Sequence, residues 1–247
     1  MQLSQIKLFR LIHIILLFFI LSVQSGSADE TDVLDFLPAI LAGRASCDMD
    51  PSQEILVTPY ANESDMQEIR EVFSTVTSGS PKNRVHDGLD IYPVGDLKPF
   101  QAACSGKVLS VMSEQAGTAS NWQVEVLVGC NEYVYDPDTG GYFIPSAVSY
   151  VFETMSDVQA DGQTQLANIS VAEGQTVSQG NIIGYLHAVN GNSHVHFGVS
   201  PFGAILYSLG MPLFLVCPEP FFATDDKNSI LNLIHVAWPS ADICYQN

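Results

Sequence analysis

Basic residues are scarce in this chain: nine Lys and Arg stand against 27 Asp and Glu in 247 residues, a formal charge of −18 at pH 7. A surface of that sign repels phosphate and lacks the basic footprint that releases counterions, which excludes nucleic acid and disfavours anionic membranes as partners. Charged residues of either sign make up only 15%, while 47% of the chain is hydrophobic. The acidity is therefore not that of a disordered tail, because enough apolar side chains are present to fold around a core. No Cys-x-x-Cys pair occurs, which weakens any case for metal ligation by thiolate. Solenoid-length repeats and low-complexity tracts are missing too, and the length predicts one ordered domain with appendages, or two small ones.

Apolar runs are also short. The first of them, residues 11–21, follows Lys7 and Arg10 and precedes Ser25, Gly26, Ser27 and Ala28. That charged, apolar, small-residue order is the pattern of a secretory signal, and the run is too short for a comfortable membrane span. Residues 1–28 are expected to be a signal peptide, with an uncleaved signal anchor as the alternative. Removing Lys7 and Arg10 with it leaves a charge of −20. The expected location is secreted or periplasmic, with no stable membrane partner after cleavage.

Export permits disulfides. Cys104 and Cys130 flank a strand–turn–strand pattern and are equidistant from Gly117, so a hairpin centred there sets them face to face within bridging distance. Cys217 and Cys244 are then expected to staple the C-terminal tail, leaving Cys47 as the odd thiol. The alternative is that all five cysteines are buried and reduced.

Residues 29–80 read as a lead-in with one helix, in which Met66, Ile69, Val72, Phe73 and Val76 share a face that Asn62 or Ser64 caps. From 81 to 202 short apolar alternations broken by Gly and polar turns predict an antiparallel all-β core. Residues 203–247 form a C-terminal extension whose apolar start, interrupted by Gly210 and Pro212, reads as a buried hairpin or loop.

Two stretches carry chemistry. Residues 84–93 (RVHDGLDIYP) read as a strand, and period two puts His86, Gly88, Asp90 and Tyr92 on one face. In residues 193–199 (SHVHFGV) the same rule groups His194, His196 and Gly198 against Val195, Phe197 and Val199. Imidazoles plus one carboxylate suit zinc, and a catalytic zinc keeps three protein ligands and an open position for water. A His-x-His on a strand is otherwise simply exposed; the accompanying His-x-x-x-Asp in the same β region argues for a site.

Four motifs in order, His86-Asp-Gly-Leu-Asp90-Ile, then Phe100 to Val108, then Val171 to Tyr185, then His194-Val-His196-Phe, resemble the lysostaphin/LytM-type zinc metallopeptidases over about half the chain. The resemblance implies a small antiparallel β domain, the duplicated hybrid motif, and cleavage of peptide bonds in peptidoglycan. It implies zinc ligation by His86, Asp90 and His196, and a catalytic role for His194 toward the attacking water. The family's second catalytic His, in a Tyr-x-His-Leu strand, has no counterpart at Tyr150-Val-Phe152-Glu153. Glu153, His187 and His235 are the candidates to replace it. The loop before His194 is also compressed, to Gly191-Asn192-Ser193.

The expected function is a zinc-dependent metalloendopeptidase acting on a peptide or peptidoglycan substrate; the alternative is a zinc-binding module of the same fold with weak or no catalysis. Asn62 and Asn168 fit the glycosylation acceptor pattern. Trp122, Trp238, Tyr133, Tyr135 and Tyr142 are candidates to line a substrate groove, though strand aromatics more often pack. Residues 133–146 read as a loop near the site.

Overall fold

The run HVHFGVS folds as the strand its alternation predicts. Strand β11 (His194–Ser200) buries Val195, Phe197 and Val199 on one face and turns both imidazoles to the other. A seven-stranded antiparallel sheet forms around it in a computed structural model, which describes residues 56–73, 76–77, 84–116, 120–136, 142–200, 207–208, 210, 213 and 215–244. Backbone contacts divide the chain into two units, and the fold below is that of the larger, Pro51–Val134 with Phe143–Asn247. The expected signal peptide, Cys47 and most of the apolar stretch 203–214 lie outside the described residues. Among the described residues no helix is long and apolar enough to cross a membrane.

The strands in chain order are β1 (Met66–Glu71), β2 (Val76–Thr77), β3 (Arg84–Val85), β4 (Leu89–Pro93), β5 (Lys98–Gln101), β6 (Gly106–Ala116), β7 (Asn121–Asp136), β8 (Tyr142–Glu153), β9 (Thr176–Val177) and β10 (Ile182–Leu186), then β11. Helix α1 (Gln159–Ala167) follows β8, and α2 (Thr224–Ala237) follows β11. The large sheet runs β1-β4-β11-β8-β7-β6-β9; β10 pairs with β5 and β2 with β3. The molecule is mostly β, as expected, with the core between the apolar side of the large sheet and the segments that cross it. Phe100 meets Phe152 edge-on at 5.6 Å, and Phe197 lies between Tyr150 and Phe222 at 5.3 and 6.0 Å.

The part of the lead-in expected to be helical, where it is described, is not a helix. One 3₁₀ turn (Glu63–Asp65) leads into strand β1, which pairs with β4. Met66, Ile69 and Val72 are nonetheless all buried at intervals of three. The register explains the spacing: it shifts between Met66 and Glu68 and again between Ile69 and Glu71. Each bulge inserts one residue, so a strand face of period two recurs at three and imitates a helix.

Cys104 is bridged to Cys130, and Cys217 to Cys244, as expected. The first pair is not directly opposed, however. The hairpin pairs Ala116 with Asn121 and is therefore centred after Gly117; a register shift between Val108 and Ser110 recovers only one residue, and the residue facing Cys130 is Gly106. A side chain there is impossible, because its Cβ would run into the Gly129 carbonyl. The bridge therefore crosses diagonally, with Cα atoms 5.7 Å apart.

Both helices go beyond the sequence reading. In α2, Ile230, Leu233 and Ile234 are buried, and the helix lies against β1. Its far end covers the edge of that strand, with the Trp238 indole N–H donating to the Arg70 carbonyl at 2.6 Å. Trp122 packs against α1, where a Cβ on Gly162 would come within 2.7 Å of the indole. Of the two acceptor patterns, Asn62 is exposed, whereas the Asn168 amide nitrogen is enclosed.

The fully buried Tyr150 hydroxyl accepts a 2.6 Å hydrogen bond from the Ala103 amide. Substitution Tyr150→Phe leaves that N–H without an acceptor, a cost of about 1–3 kcal/mol. Urea unfolding is expected to show an earlier midpoint at unchanged slope; an unshifted midpoint would remove this bond from the account of the core.

Candidate metal centre

The site is built from cross-strand neighbours. In register, Asp90 on β4 lies between Glu71 on β1 and His196 on β11, and His196 is followed by Val151 on β8. In the next row His194 faces Glu153, and the Tyr92 ring stacks on its imidazole with centroids 4.9 Å apart. His86 completes the group from the connection between β3 and β4. The strand expected over 84–93 is thus broken: residues 86–88 leave the ladder and cross over β11. Gly88 permits the crossing, since a Cβ would sit 2.6 Å from both His196 Nε2 and the Phe197 carbonyl.

His86 Nε2 lies 3.0 Å and His196 Nδ1 2.9 Å from the same oxygen, Asp90 Oδ1. Four ligands around zinc at roughly 2.0–2.1 Å stand about 3.3 Å apart, so the three atoms are spaced as ligands of one ion. Two nitrogens and a carboxylate oxygen are also a donor set that zinc accepts. The imidazoles are oriented from behind. The Val72 carbonyl can only accept, so His86 Nδ1 donates to it at 3.1 Å and Nε2 is the nitrogen turned toward the centre. Asp87 Oδ1 stands 3.5 Å behind His196 Nε2.

His194 sits beside this triad. Its Nδ1 donates to the Asn192 carbonyl at 2.8 Å, which leaves Nε2 as the acceptor, 3.5 Å from Asp90 Oδ2 and 3.8 Å from Glu153 Oε2. The compressed loop before it is a closed turn: Ser193 N–H donates to Asn190 O, and Ser193 Oγ donates to Thr154 O at 2.7 Å. Its shortness thus presents the Asn192 carbonyl to the ring.

The electrostatics follow from enclosing these groups together. Burial opposes a charged His86, but the hydrogen bond and charge of Asp90, with the Val72 carbonyl and Glu71, push its pKa up to about 9. Burial likewise opposes ionised Asp90, yet His194, His196 and His86 hold its carboxyl far below the usual carboxylate range. Glu71, with Oε2 3.9 Å from His86 Nε2, is raised by burial and by Asp90. Burial is also the main cause that raises the Tyr92 phenol, aided by Asp90 and opposed by Arg70.

All four residues expected at the site, His86, Asp90, His194 and His196, are therefore brought together. Phe152 is not at the site at all: it is fully buried against Phe100, and the residue opposite His194 is Glu153. His187 stands between Asp96 and Asp161 at 3.5 and 3.6 Å, and His235 on α2 is bonded to the Ala241 carbonyl beyond the helix. Neither joins the centre. Glu71 and Arg70 were not singled out from sequence, because the bulges of β1 hide which of its side chains face Asp90.

His86→Ala and His196→Ala are expected to abolish stoichiometric zinc retention after dialysis, measured by elemental analysis, while Asp87→Asn loses about 10- to 100-fold in affinity. Full zinc retention in both alanine variants would refute this centre.

No protein-family model matches the sequence, and neither does any curated protein. The chain is similar to solved structures. One is a zinc-containing peptidase from Vibrio cholerae, at TM-score 0.39 and 19% identity, covering 59% of this chain and 37% of that one. Another is the catalytic domain of the prophage-encoded protein EnpA from Enterococcus faecalis, in variant form, at 0.36 and 17%, covering 58% and 86%. A third is the antimicrobial peptidase lysostaphin from Staphylococcus simulans, at 0.38 and 15%, covering 69% and 53%. The chain thus spans about a third to a half of the first and last of these.

Proposed function

We propose that the protein is a zinc-dependent metalloendopeptidase that hydrolyses peptide bonds, with peptidoglycan cross-links as its substrate class, and that it works outside the cytoplasm. The observation that carries this reading is the convergence of His86 Nε2, Asp90 Oδ1 and His196 Nδ1 beside a third imidazole, that of His194, whose accepting nitrogen faces the same point. The signal pattern at 1–28 and the two disulfides support the location.

His86, Asp90 and His196 would hold the metal. Bound there, zinc supplies Lewis acidity toward a scissile carbonyl and lowers the pKa of a coordinated water. The chain's own residues do the rest. His194 Nε2 accepts a proton from the attacking water as its oxygen bonds to the carbonyl carbon, and returns that proton to the amine nitrogen as the carbon–nitrogen bond breaks. Asn192 O holds the ring in the tautomer this needs, and the Glu153 carboxylate at 3.8 Å offsets the charge of the protonated imidazole.

One observation favours a second reading, a zinc-binding module without turnover: Phe152 is consigned to the core, and a carboxylate faces His194 where the family resemblance leads one to look for a second imidazole. Incubation with purified peptidoglycan and with short Gly- or D-Ala-containing peptides separates the two. Cleavage that stops with chelator and returns with zinc is expected, and His194→Ala is expected to keep its zinc while losing roughly 10²- to 10⁴-fold in rate. The absence of chelator-sensitive cleavage on every substrate would leave the module.

A further inference from the structure

Three tyrosines are buried among the described residues: Tyr60, Tyr92 and Tyr150. Buried phenols normally find a hydrogen-bond partner, and two of these do. Tyr60 shares a bond with Ser229 at 2.9 Å, and Tyr150 accepts from Ala103. Among the described residues no protein group bonds the Tyr92 hydroxyl. This phenol stands on the metal-site face, two residues along β4 from Asp90.

Its ring is gripped on both faces. The His194 imidazole stacks on one at 4.9 Å with the planes 26° apart, and the Arg70 guanidinium covers the other at 4.1 Å from the centroid. Arg70 is in turn fixed by Glu68 at 2.7 Å and, through its carbonyl, by Trp238. A ring held this way has its hydroxyl fixed in place before any substrate arrives. The phenol thus stands against the imidazole of His194, on the same face of β4 as Asp90.

We propose that Tyr92 is a catalytic residue: its hydroxyl donates a hydrogen bond to the oxygen of the scissile carbonyl as negative charge develops there. It would supply the donor that no imidazole on β8 provides. No proton is transferred in this role; the O–H stays on the phenol throughout, and His194 handles the proton of the water. The inference rests on the hydrolase reading above.

Tyr92→Phe tests it, because the phenyl ring keeps both stacks and removes only the donor. Expected are an unchanged zinc content and KM, a fall in kcat of about 10²- to 10³-fold, and a comparable loss of affinity for a phosphinic peptide, whose tetrahedral anion mimics the charged carbonyl. Calorimetry reads the last effect without turnover. Wild-type kcat and wild-type phosphinate affinity in Tyr92→Phe would overturn the role of Tyr92 and leave the hydrolase standing. A wild-type protein that neither cleaves peptides nor binds the phosphinate would overturn both.

Discussion

Everything at the centre depends on one carboxylate. Asp90 is almost wholly enclosed, and it remains ionised because His86 and His196 both reach its Oδ1 and His194 lies against Oδ2. An enclosed anion without partners would be untenable. The pairing of β4 with β11 is what supplies them, since it sets Asp90 directly beside His196. Gly88 belongs to the same constraint: the turn that brings His86 over β11 has no room for a side chain. Sheet register and site chemistry are here a single requirement.

Much of this was legible in the sequence because it rests on period two. The faces of residues 193–199 and the shared face of Asp90 and Tyr92 follow from alternation alone, and the sheet agrees, whereas His86 joins them from a connection outside the ladder. The lead-in was not legible, because two bulges in β1 turn a strand face into a three-residue spacing that reads as a helix. The same shifts hid Glu71 and Arg70. Phe152 shows a different limit. Motif spacing aligned it with a catalytic position, but only the register with β11 reveals that its side chain faces the core and that Glu153 meets His194. Helix α1 escaped notice because it buries a glycine and a glutamine rather than an apolar stripe.

The acidity of the chain takes on a local form at the centre. Glu71 and Glu153 enter from β1 and β8, on opposite sides of the β4–β11 pair, each within 4 Å of an imidazole. A divalent cation held by His86, Asp90 and His196 would be the strongest positive charge in the vicinity, with Arg70 already engaged by Glu68. On the proposed function, an anionic cell wall would offer such a protein no general electrostatic attraction, and recognition would fall to the contacts around the metal.

The bond from Trp238 to the Arg70 carbonyl joins positions 168 residues apart. It closes the edge of the strand that carries Arg70 and Glu71 and leads directly into Val72, whose carbonyl orients His86. During synthesis, then, the face that carries Asp90 and the histidines lacks this bond until α2 has left the ribosome and docked. A chain truncated before α2 would keep His86, Asp90, His194 and His196 yet lack the brace behind β1.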